Sequence, residues 1–268
     1  MELSERVTVV TGGASGIGRA MARRFAAEGA RGVVVADLDG ADAEAVAAEL
    51  GERALGVRCD VTDDEQVGAL IARAEEAFGA VDLFAANAGI GTGAGLEAPD
   101  DVWAQTLAVN VQAHVYAARR LVPGWVERGE GYFLSTASAA GLLSQIGDAP
   151  YSVSKHAAVA FAEWLSLTYG DRGLRVSCLC PMGVNTALLN AGLDMEDSHG
   201  VGARVVAAAG AVLEPEDVAD EVVRAIRDER FLILPHPEVG EFLRRKGDDP
   251  ERWLAGMRRL QAHVMGGG

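Results

Sequence analysis

Short apolar segments alternate with longer segments of helical periodicity along most of the chain. Apolar runs typical of strands occupy residues 6–10, 32–36, 54–59, 81–86, 132–136, 175–179 and 231–234. Segments that predict helices lie at 16–28, 41–50, 63–78, 101–127, 152–169, from 214 onward, and at 252–264. Most of the strand runs are continuously apolar, which indicates that helices cover both faces of the sheet. The pattern therefore predicts an α/β fold with one doubly wound parallel sheet of about seven strands.

The alternation loosens after residue 179. Residues 186–213 are rich in Gly and Ala and have no clear period, which predicts a mobile pair of short helices that gates a substrate site. Residues 238–268 form a C-terminal extension whose contacts the sequence does not indicate. No linker separates these parts, so residues 1–268 are expected to form a single domain.

Composition and charge exclude several classes of protein. Asp and Glu number 39 against 24 Lys and Arg, for a net charge of −15, and no polybasic segment is present. This balance does not suit binding to nucleic acid or to an anionic membrane surface. The chain contains no apolar run of about 18 residues and no signal-peptide pattern at its start, so we expect a cytoplasmic protein.

Two scarce residue types carry information. The three cysteines are an odd and sparse set, which argues against disulfides, and no set of metal ligands accompanies them; Cys178 and Cys180 are expected to be small buried residues. Of the 24 basic residues, only Lys155 and Lys246 are lysines. Lys246 is expected to be solvated, whereas Lys155 lies four residues after Tyr151.

A glycine-rich turn directly follows the first predicted strand. Residues 11–18 read TGGASGIG, with Gly12, Gly16 and Gly18 spaced so that the backbone can turn sharply and approach a ligand closely. The following helix directs its unpaired N–H groups at the same point, which is the arrangement that binds a pyrophosphate. Asp37 directly follows the second predicted strand, 19 residues after Gly18, where a carboxylate accepts hydrogen bonds from a ribose and repels a 2′-phosphate. The sequence thus predicts a dinucleotide cofactor, NAD in preference to NADP.

Four further residues predict acid–base chemistry. Tyr151 and Lys155 are spaced i, i+4 at the start of a predicted helix and so share one face. Ser138 lies 13 residues upstream of Tyr151, and Asn110 lies further back. An ammonium about 4 Å from a phenol would lower the phenol pKa by ~3 units at an effective dielectric of ~20, so we expect Lys155 to lower the pKa of Tyr151.

Together with the glycine-rich turn, these residues resemble the short-chain dehydrogenase/reductase family. The resemblance extends from residue 6 to about residue 225 and includes ordered motifs after the third, fourth and sixth strands. It implies a Rossmann-like fold in which Tyr151 is the acid/base, Ser138 holds the substrate oxygen, Lys155 binds the nicotinamide ribose, and Asn110 holds a water that connects Lys155 to solvent. The positions expected to bind the cofactor are Gly12, Ser15, Gly16, Ile17, Gly18, Asp37, Asp60, Val61, Asn87, Gly89, Tyr151, Lys155, Pro181, Gly183, Val184 and Thr186.

The chain departs from the family pattern at three places. Met182 stands where the family usually has Gly after the proline, Ala137 replaces the first serine of a pair, and Ala86 replaces the first Asn of the fourth-strand motif. None of these changes removes a reactive group. Met182 is expected to alter the turn or to enter the substrate pocket.

The predicted substrate-facing loops are mainly apolar and carry no Arg or Lys. Residues 90–96, 142–148 and 188–201 supply them, with Gln145, Met182, Leu188 and His199 as the candidate contacts. An apolar secondary alcohol or ketone, whether alicyclic, aromatic or steroid-like, fits these loops better than an anionic substrate. The helices at 101–127 and 152–169 are apolar on more than one face, and by the resemblance we expect a homo-oligomer, a dimer or a tetramer. Two alternatives remain open: a non-catalytic NAD-binding regulator, and a lyase or epimerase on the same fold.

Overall fold

One parallel sheet organises the chain in the computed structural model, which describes residues 1–194 and 200–265. The strands are β1 Val7–Thr11, β2 Gly32–Asp37, β3 Ala54–Arg58, β4 Leu83–Ala86, β5 Gly131–Thr136, β6 Leu174–Leu179 and β7 Leu232–Ile233. Their order across the sheet is β3-β2-β1-β4-β5-β6-β7, and every neighbouring pair is parallel. The predicted fold class is thereby confirmed as a single Rossmann-like domain.

Helices cover both faces of this sheet. Their bounds are α1 Gly16–Ala27, α2 Gly40–Leu50, α3 Asp64–Phe78, α4 Asp100–Leu107, α5 Ala113–Arg128, α6 Ala140–Leu143, α7 Ala149–Tyr169, α8 Ala187–Leu193, α9 Val201–Ala209, α10 Pro215–Arg227, α11 Pro237–Asp248 and α12 Pro250–Val264. One buried core joins the sheet to α3, α5 and α7, and a second joins its other face to α1, α2 and α10. Because both faces are buried, the strands read as continuous apolar runs.

The order of the strands places the site. Strand β1 pairs with β2 on one side and with β4 on the other, so the chain reverses its direction of winding between them. In open parallel sheets, ligands bind in the crevice at the carboxyl ends of the strands where this reversal occurs. The glycine-rich turn after β1 and Asp37 at the end of β2 both lie at that edge.

The structure differs from the sequence-based elements in several places. The predicted helix at 101–127 is divided by a π-helical segment, Ala108–Gln112, which contains Asn110. The predicted strand at 231–234 is reduced to Leu232–Ile233, because Pro235 follows within two residues. Helix α11, which the sequence did not predict, begins at Pro237, where proline is favoured in the first turn. Within the residues that the structure describes, no helix has both the length and the apolar character needed to cross a membrane.

Candidate active site

The glycine-rich turn after β1 has the backbone shape that its glycines predict. Gly12 has a φ of +62° and Gly16 a φ of +49°, values in the left-handed region that favours glycine. A Cβ atom built on Gly12 would lie 2.9 Å from the Cα of Ala88, and one on Gly18 would collide with the backbone oxygen of Gly12. The turn therefore packs closely against the residues after β4. Because its glycines carry no side chains, the surface that the turn presents at these positions is backbone.

The surroundings of this turn fit a dinucleotide. Ser15 is the exposed N-cap of α1, and its hydroxyl makes no capping hydrogen bond, so the first N–H groups of the helix are not satisfied by this side chain. Asp37 accepts a hydrogen bond at 3.1 Å from the backbone N–H of Ala14, which holds its carboxylate beside the turn. A Cβ on Gly16 would lie 3.1 Å from the Thr186 methyl carbon. Glycine at this position therefore keeps open the space between the turn and the start of α8. These features are the ones that a pyrophosphate and an adenosine ribose require.

Asn87 and Thr11 fasten the loop after β4 to this turn. The Asn87 amide donates to the backbone oxygens of Thr11 at 3.0 Å and Gly12 at 3.4 Å. The Thr11 hydroxyl accepts hydrogen bonds from the backbone N–H groups of Asn87 and Ala88, at 3.0 and 3.2 Å. The remaining Asn of the fourth-strand motif thus has a structural role, and it fixes the position of Gly89.

The other residues expected to bind the cofactor lie along the same edge of the sheet. Asp60, after β3, accepts hydrogen bonds from the backbone and hydroxyl of Thr62, and Val61 is buried beside it. Val184 pairs with Leu213 in an isolated parallel bridge, and Thr186 is the N-cap of α8. The remaining positions, Ile17, Pro181 and Gly183, lie in the first turn of α1 and in the segment after β6. Their contacts with a cofactor stay a prediction.

Asn110 is held by three hydrogen bonds from its position in the π-helical segment. Its oxygen accepts from the Ile90 backbone N–H at 2.9 Å, and its amide donates to the Ile90 oxygen at 2.9 Å and to the Ser154 hydroxyl at 3.0 Å. Ser154 precedes Lys155 in α7, so Asn110 joins the loop after β4 to helix α7. A Cβ on Gly89 would lie 3.2 Å from Lys155 Nζ and 3.3 Å from Asn110 Oδ1, which places both polar atoms beside that glycine.

Ser138, Tyr151 and Lys155 line one cavity of about 280 Å³ at the carboxyl edge of the sheet. Lys155 is buried, and its Nζ donates to the backbone oxygen of Thr136 at 2.9 Å and lies 5.6 Å from the centroid of the Tyr151 ring. Ser138 accepts a hydrogen bond from Ala140 N–H at 3.1 Å, which fixes its side chain at the end of β5. The three predicted catalytic side chains are therefore brought together.

The expected lowering of the Tyr151 pKa by Lys155 is wrong for the chain by itself. Burial raises the pKa of Tyr151, the neighbouring Ser138 hydroxyl opposes that rise, and the Asp148 carboxylate adds to it. Burial also lowers the pKa of Lys155 to about 8, against the opposing effect of the buried Cys178 and Cys180. Desolvation disfavours both the phenolate form of Tyr151 and the ammonium form of Lys155. The attraction between the two charges, on which the expectation was based, does not include this desolvation cost.

The structure tests the placement of three of the four candidate substrate residues. Gln145, Met182 and Leu188 all line the cavity. Gln145 also donates from Nε2 to the backbone oxygen of Gly202 at 2.9 Å, which connects the loop before α7 to α9. His199, the fourth candidate, lies outside the described residues. The two cysteines behind the site are completely buried, as expected, with their sulfur atoms 3.7 Å apart.

Two residues at this cavity were not singled out from the sequence, although Asp148 ends the predicted substrate-facing loop at 142–148. Asp148 is buried and lines the cavity, and its carboxylate accepts hydrogen bonds from the backbone N–H groups of Thr92, Gly93 and Tyr151 and from the Thr92 hydroxyl, at 2.7 to 3.0 Å. His236 is buried at the end of β7, and its ring accepts a hydrogen bond at 3.2 Å from the backbone N–H of Met182. A second sequence signal for Asp148 was its place before a proline-started helix, where Asp is a favoured N-cap.

Comparisons with known proteins agree with this geometry. The sequence matches the profile of the family described as short chain dehydrogenase over residues 6–197. It is 38% identical over 262 residues to 1-deoxy-11-beta-hydroxypentalenate dehydrogenase of Streptomyces exfoliatus, covering 95% of this chain and 92% of that protein. It is 33% identical over 242 residues to 3beta-hydroxysteroid dehydrogenase 2 of Eggerthella lenta, covering 86% of this chain and 91% of that protein.

A solved structure gives the same result. The chain superposes with a TM-score of 0.85 and 35% identity on the crystal structure of a short-chain dehydrogenase/reductase from Burkholderia phymatum in complex with NAD, covering 94% of this chain and 96% of that one. Fold and site define an oxidoreductase with an NAD-binding Rossmann fold. The chain belongs to the short-chain dehydrogenase/reductase family.

Proposed function

We propose that this chain is an NAD-preferring dehydrogenase that interconverts an apolar secondary alcohol and its ketone. The observation that carries the proposal is the shared cavity: Ser138, Tyr151 and Lys155 line one side of it, and the glycine-rich turn lies next to it. A substrate hydroxyl bound in this cavity, beside Ser138 and Tyr151, can lose its proton to the Tyr151 side chain. This arrangement has the parts that an alcohol–ketone interconversion requires.

Tyr151 is the acid/base of the proposed reaction. The nicotinamide, when bound, accepts the hydride in alcohol oxidation and donates it in ketone reduction. Tyr151 takes the hydroxyl proton during oxidation and returns it during reduction. The hydroxyl of Ser138 donates a hydrogen bond to the substrate oxygen, which stabilises the negative charge that develops there.

Lys155 has two roles in this proposal. Its pKa of about 8 keeps it largely protonated near neutral pH, and a positive charge 5.6 Å from the centroid of the Tyr151 ring favours the phenolate form, although in the chain by itself burial still raises the pKa of Tyr151. Its ammonium also holds the nicotinamide ribose, with its Nζ kept in place by the backbone oxygen of Thr136. Asn110 fixes the helix turn that carries both side chains, and a water beside it would connect Lys155 to solvent.

The cavity favours an uncharged, apolar substrate. Among its lining residues, Asp148 and Lys155 are the charged ones, and both are engaged in hydrogen bonds with the protein. Met182, Leu188, Leu189 and Val206 supply apolar surface opposite the catalytic side chains. The Streptomyces relative is named for a hydroxypentalenate, a carboxylate, and the Eggerthella relative for a hydroxysteroid. Both names support a hydroxyl-bearing substrate, and the second also supports an uncharged one.

The preference for NAD is supported by the position of Asp37. Its carboxylate lies beside the glycine-rich turn at the end of β2, where it would accept hydrogen bonds from the ribose and repel the phosphate of NADP. The Burkholderia relative was crystallised with NAD.

The test is the formation of NADH from a panel of alicyclic, aromatic and steroidal secondary alcohols. Sustained NADH formation by the native chain, lost in Tyr151→Phe, supports the proposal. Tight NAD binding without turnover of any alcohol would contradict it and would favour a non-catalytic regulator, or a lyase or epimerase on the same fold.

We further propose that the chain forms a homo-oligomer through the outer face of α5 and α7. A groove of about 680 Å³ lies between these helices and is lined by apolar side chains, among them Val122, Phe161 and Leu165. On the same face Trp164 is 52% exposed, which is unusual for so large an apolar side chain. Light scattering should give at least twice the chain mass for the native protein and a smaller assembly for Trp164→Glu. A monomeric native protein would contradict this proposal.

A further inference from the structure

Helix α11 lies behind the substrate-side wall of the cavity and is fastened to it at both ends. At its start, His236 is the N-cap residue, and its Nε2 lies 3.0 Å from the oxygen of Gly183 and 3.2 Å from that of Ala211. The Nδ1 atom accepts from Met182 N–H, so Nε2 carries the proton and donates. Near its end, Lys246 Nζ donates to the backbone oxygen of Leu142 at 2.6 Å.

Lys246 therefore differs from its charged neighbours on the helix, because it is half-buried and hydrogen-bonded to the backbone, whereas the sequence predicted a solvated side chain. Arg244 and Arg245 form exposed i, i+4 ion pairs with Asp248 and Glu241. Lys246 instead points inward at α6, and its burial lowers its pKa. The two lysines of the chain thus both donate to backbone oxygens of one segment, Lys155 at Thr136 and Lys246 at Leu142.

That segment connects the catalytic serine to the cavity wall. Helix α6 begins two residues after Ser138 and has four residues, so it cannot be stable without tertiary contacts. The bond from Lys246 supplies such a contact at Leu142, in the last turn of α6. An apolar residue in place of Lys246 would leave that backbone oxygen without its charged donor, and α6 would lose one of the contacts that hold it in place.

Helix α12 contacts both α11 and a helix that lines the cavity. The rings of Phe242 and Trp253 lie 6.1 Å apart and join α11 to α12. Helix α12 in turn packs against α9. Gly202, Ala203 and Val206 of α9 line the cavity. The α11–α12 hairpin therefore contacts three parts of the chain around the cavity: the turn at Met182, helix α6 and helix α9.

We propose that Lys246 of α11 is a positioning residue that fixes the width of the cavity through α6 and so sets the selectivity between large and small substrates. This inference rests on the proposed dehydrogenase function for its kinetic test, although not for its structural one. Lys246 does not line the cavity and so acts only through Leu142 and the segment that follows Ser138.

The test compares Lys246→Met with Arg244→Met, a matched change on the same helix that removes only an exposed ion pair. In Lys246→Met, the KM for the best bulky alcohol should rise about fivefold or more, because a hydrogen bond to a charged donor is lost. The kcat, the Kd for NAD and all constants of Arg244→Met should stay within about twofold. Lys246→Arg, which keeps a cationic donor, should recover part of the loss.

Hydrogen exchange measured without substrate tests the same bond independently of turnover. The amides of Leu143 and Ser144, which donate to Ala139 and Ala140, should exchange about fivefold faster or more in Lys246→Met than in Arg244→Met. Unchanged exchange together with unchanged selectivity between large and small alcohols would overturn the inference. If the native chain oxidises no alcohol, the proposed function fails, and the exchange rates alone decide whether Lys246 holds α6.

Discussion

The carboxylate of Asp148 accepts a hydrogen bond at 3.0 Å from the backbone N–H of Tyr151, the residue proposed as acid/base. The same carboxylate accepts hydrogen bonds from the backbone of Thr92 and Gly93, both at 2.8 Å. Asp148 is therefore the N-cap of helix α7, and it also holds the loop that follows β4. Its charge contributes to the raised pKa of Tyr151.

Replacing Asp148 with Asn should separate these effects. The amide has one acceptor oxygen where the carboxylate has two, so some of the four accepted hydrogen bonds are lost and the free energy of unfolding should fall by roughly 1–3 kcal/mol. Loss of the negative charge should lower the pKa of Tyr151, which shifts the rise of alcohol oxidation to lower pH. Thermal unfolding and pH–rate profiles measure the two effects, with the exposed Asp171→Asn as control. A lower stability with an unchanged pH profile would leave Asp148 a purely structural cap.

The choice of cofactor should depend on the charge of Asp37. Asp37→Asn retains an oxygen that can accept from Ala14 N–H, so the glycine-rich turn should keep its shape. The ratio of kcat/KM for NAD over NADP should fall about tenfold or more, because a repulsive charge is removed. Asp42→Asn, an exposed change in the first turn of α2, should leave the ratio unchanged. Equal use of both cofactors by the native chain would contradict the role of Asp37.

The sequence predicts those parts of the site whose residues lie close together along the chain. The turn at 11–18 follows its strand directly, and Tyr151 and Lys155 are one helical turn apart, so local geometry brings them together. The order of strands and helices was likewise predictable, because burial of both sheet faces leaves continuous apolar runs.

The missed features depend on contacts between residues far apart in sequence. Asp148 bonds to Thr92, 56 residues away, and Lys246 to Leu142, 104 residues away. No periodicity records such pairs, since each depends on how α7 and α11 pack in three dimensions. The direction of the Tyr151 pKa was wrong for a related reason: a sequence shows the nearby charge but not how deeply the phenol is buried.

Tyr151→Phe should abolish most turnover while it leaves the cofactor site intact. General acid–base catalysis contributes about 10²- to 10⁴-fold, so kcat should fall by at least about a hundredfold. The Kd for NAD, measured by fluorescence, should change little, and Tyr169→Phe at the far end of α7 should keep native activity. Turnover of Tyr151→Phe within a few-fold of the native rate would show that another group moves the proton.

Acid should destabilise the fold through His114, which lies beside the active site on α5. Its Nδ1 is 3.1 Å from the Ser135 hydroxyl, and its buried Nε2 has no hydrogen-bond partner among the described residues. Burial, with a smaller effect of Lys155, lowers the pKa of His114 to about 3. The unfolded chain therefore binds this proton more readily than the folded one, and stability is lost as the pH falls from about 6.5 toward about 3.

His114→Gln, which keeps a neutral polar side chain, should remove this loss. Urea unfolding near pH 7 and near pH 4.5 should show the native chain losing about 2 kcal/mol more than the variant between the two conditions. The carboxylates titrate in both proteins, so the difference between them isolates the imidazole. Equal losses in the two proteins would mean that His114 takes up its proton in the folded state, which would require a partner for Nε2 that the packing around β5 does not provide.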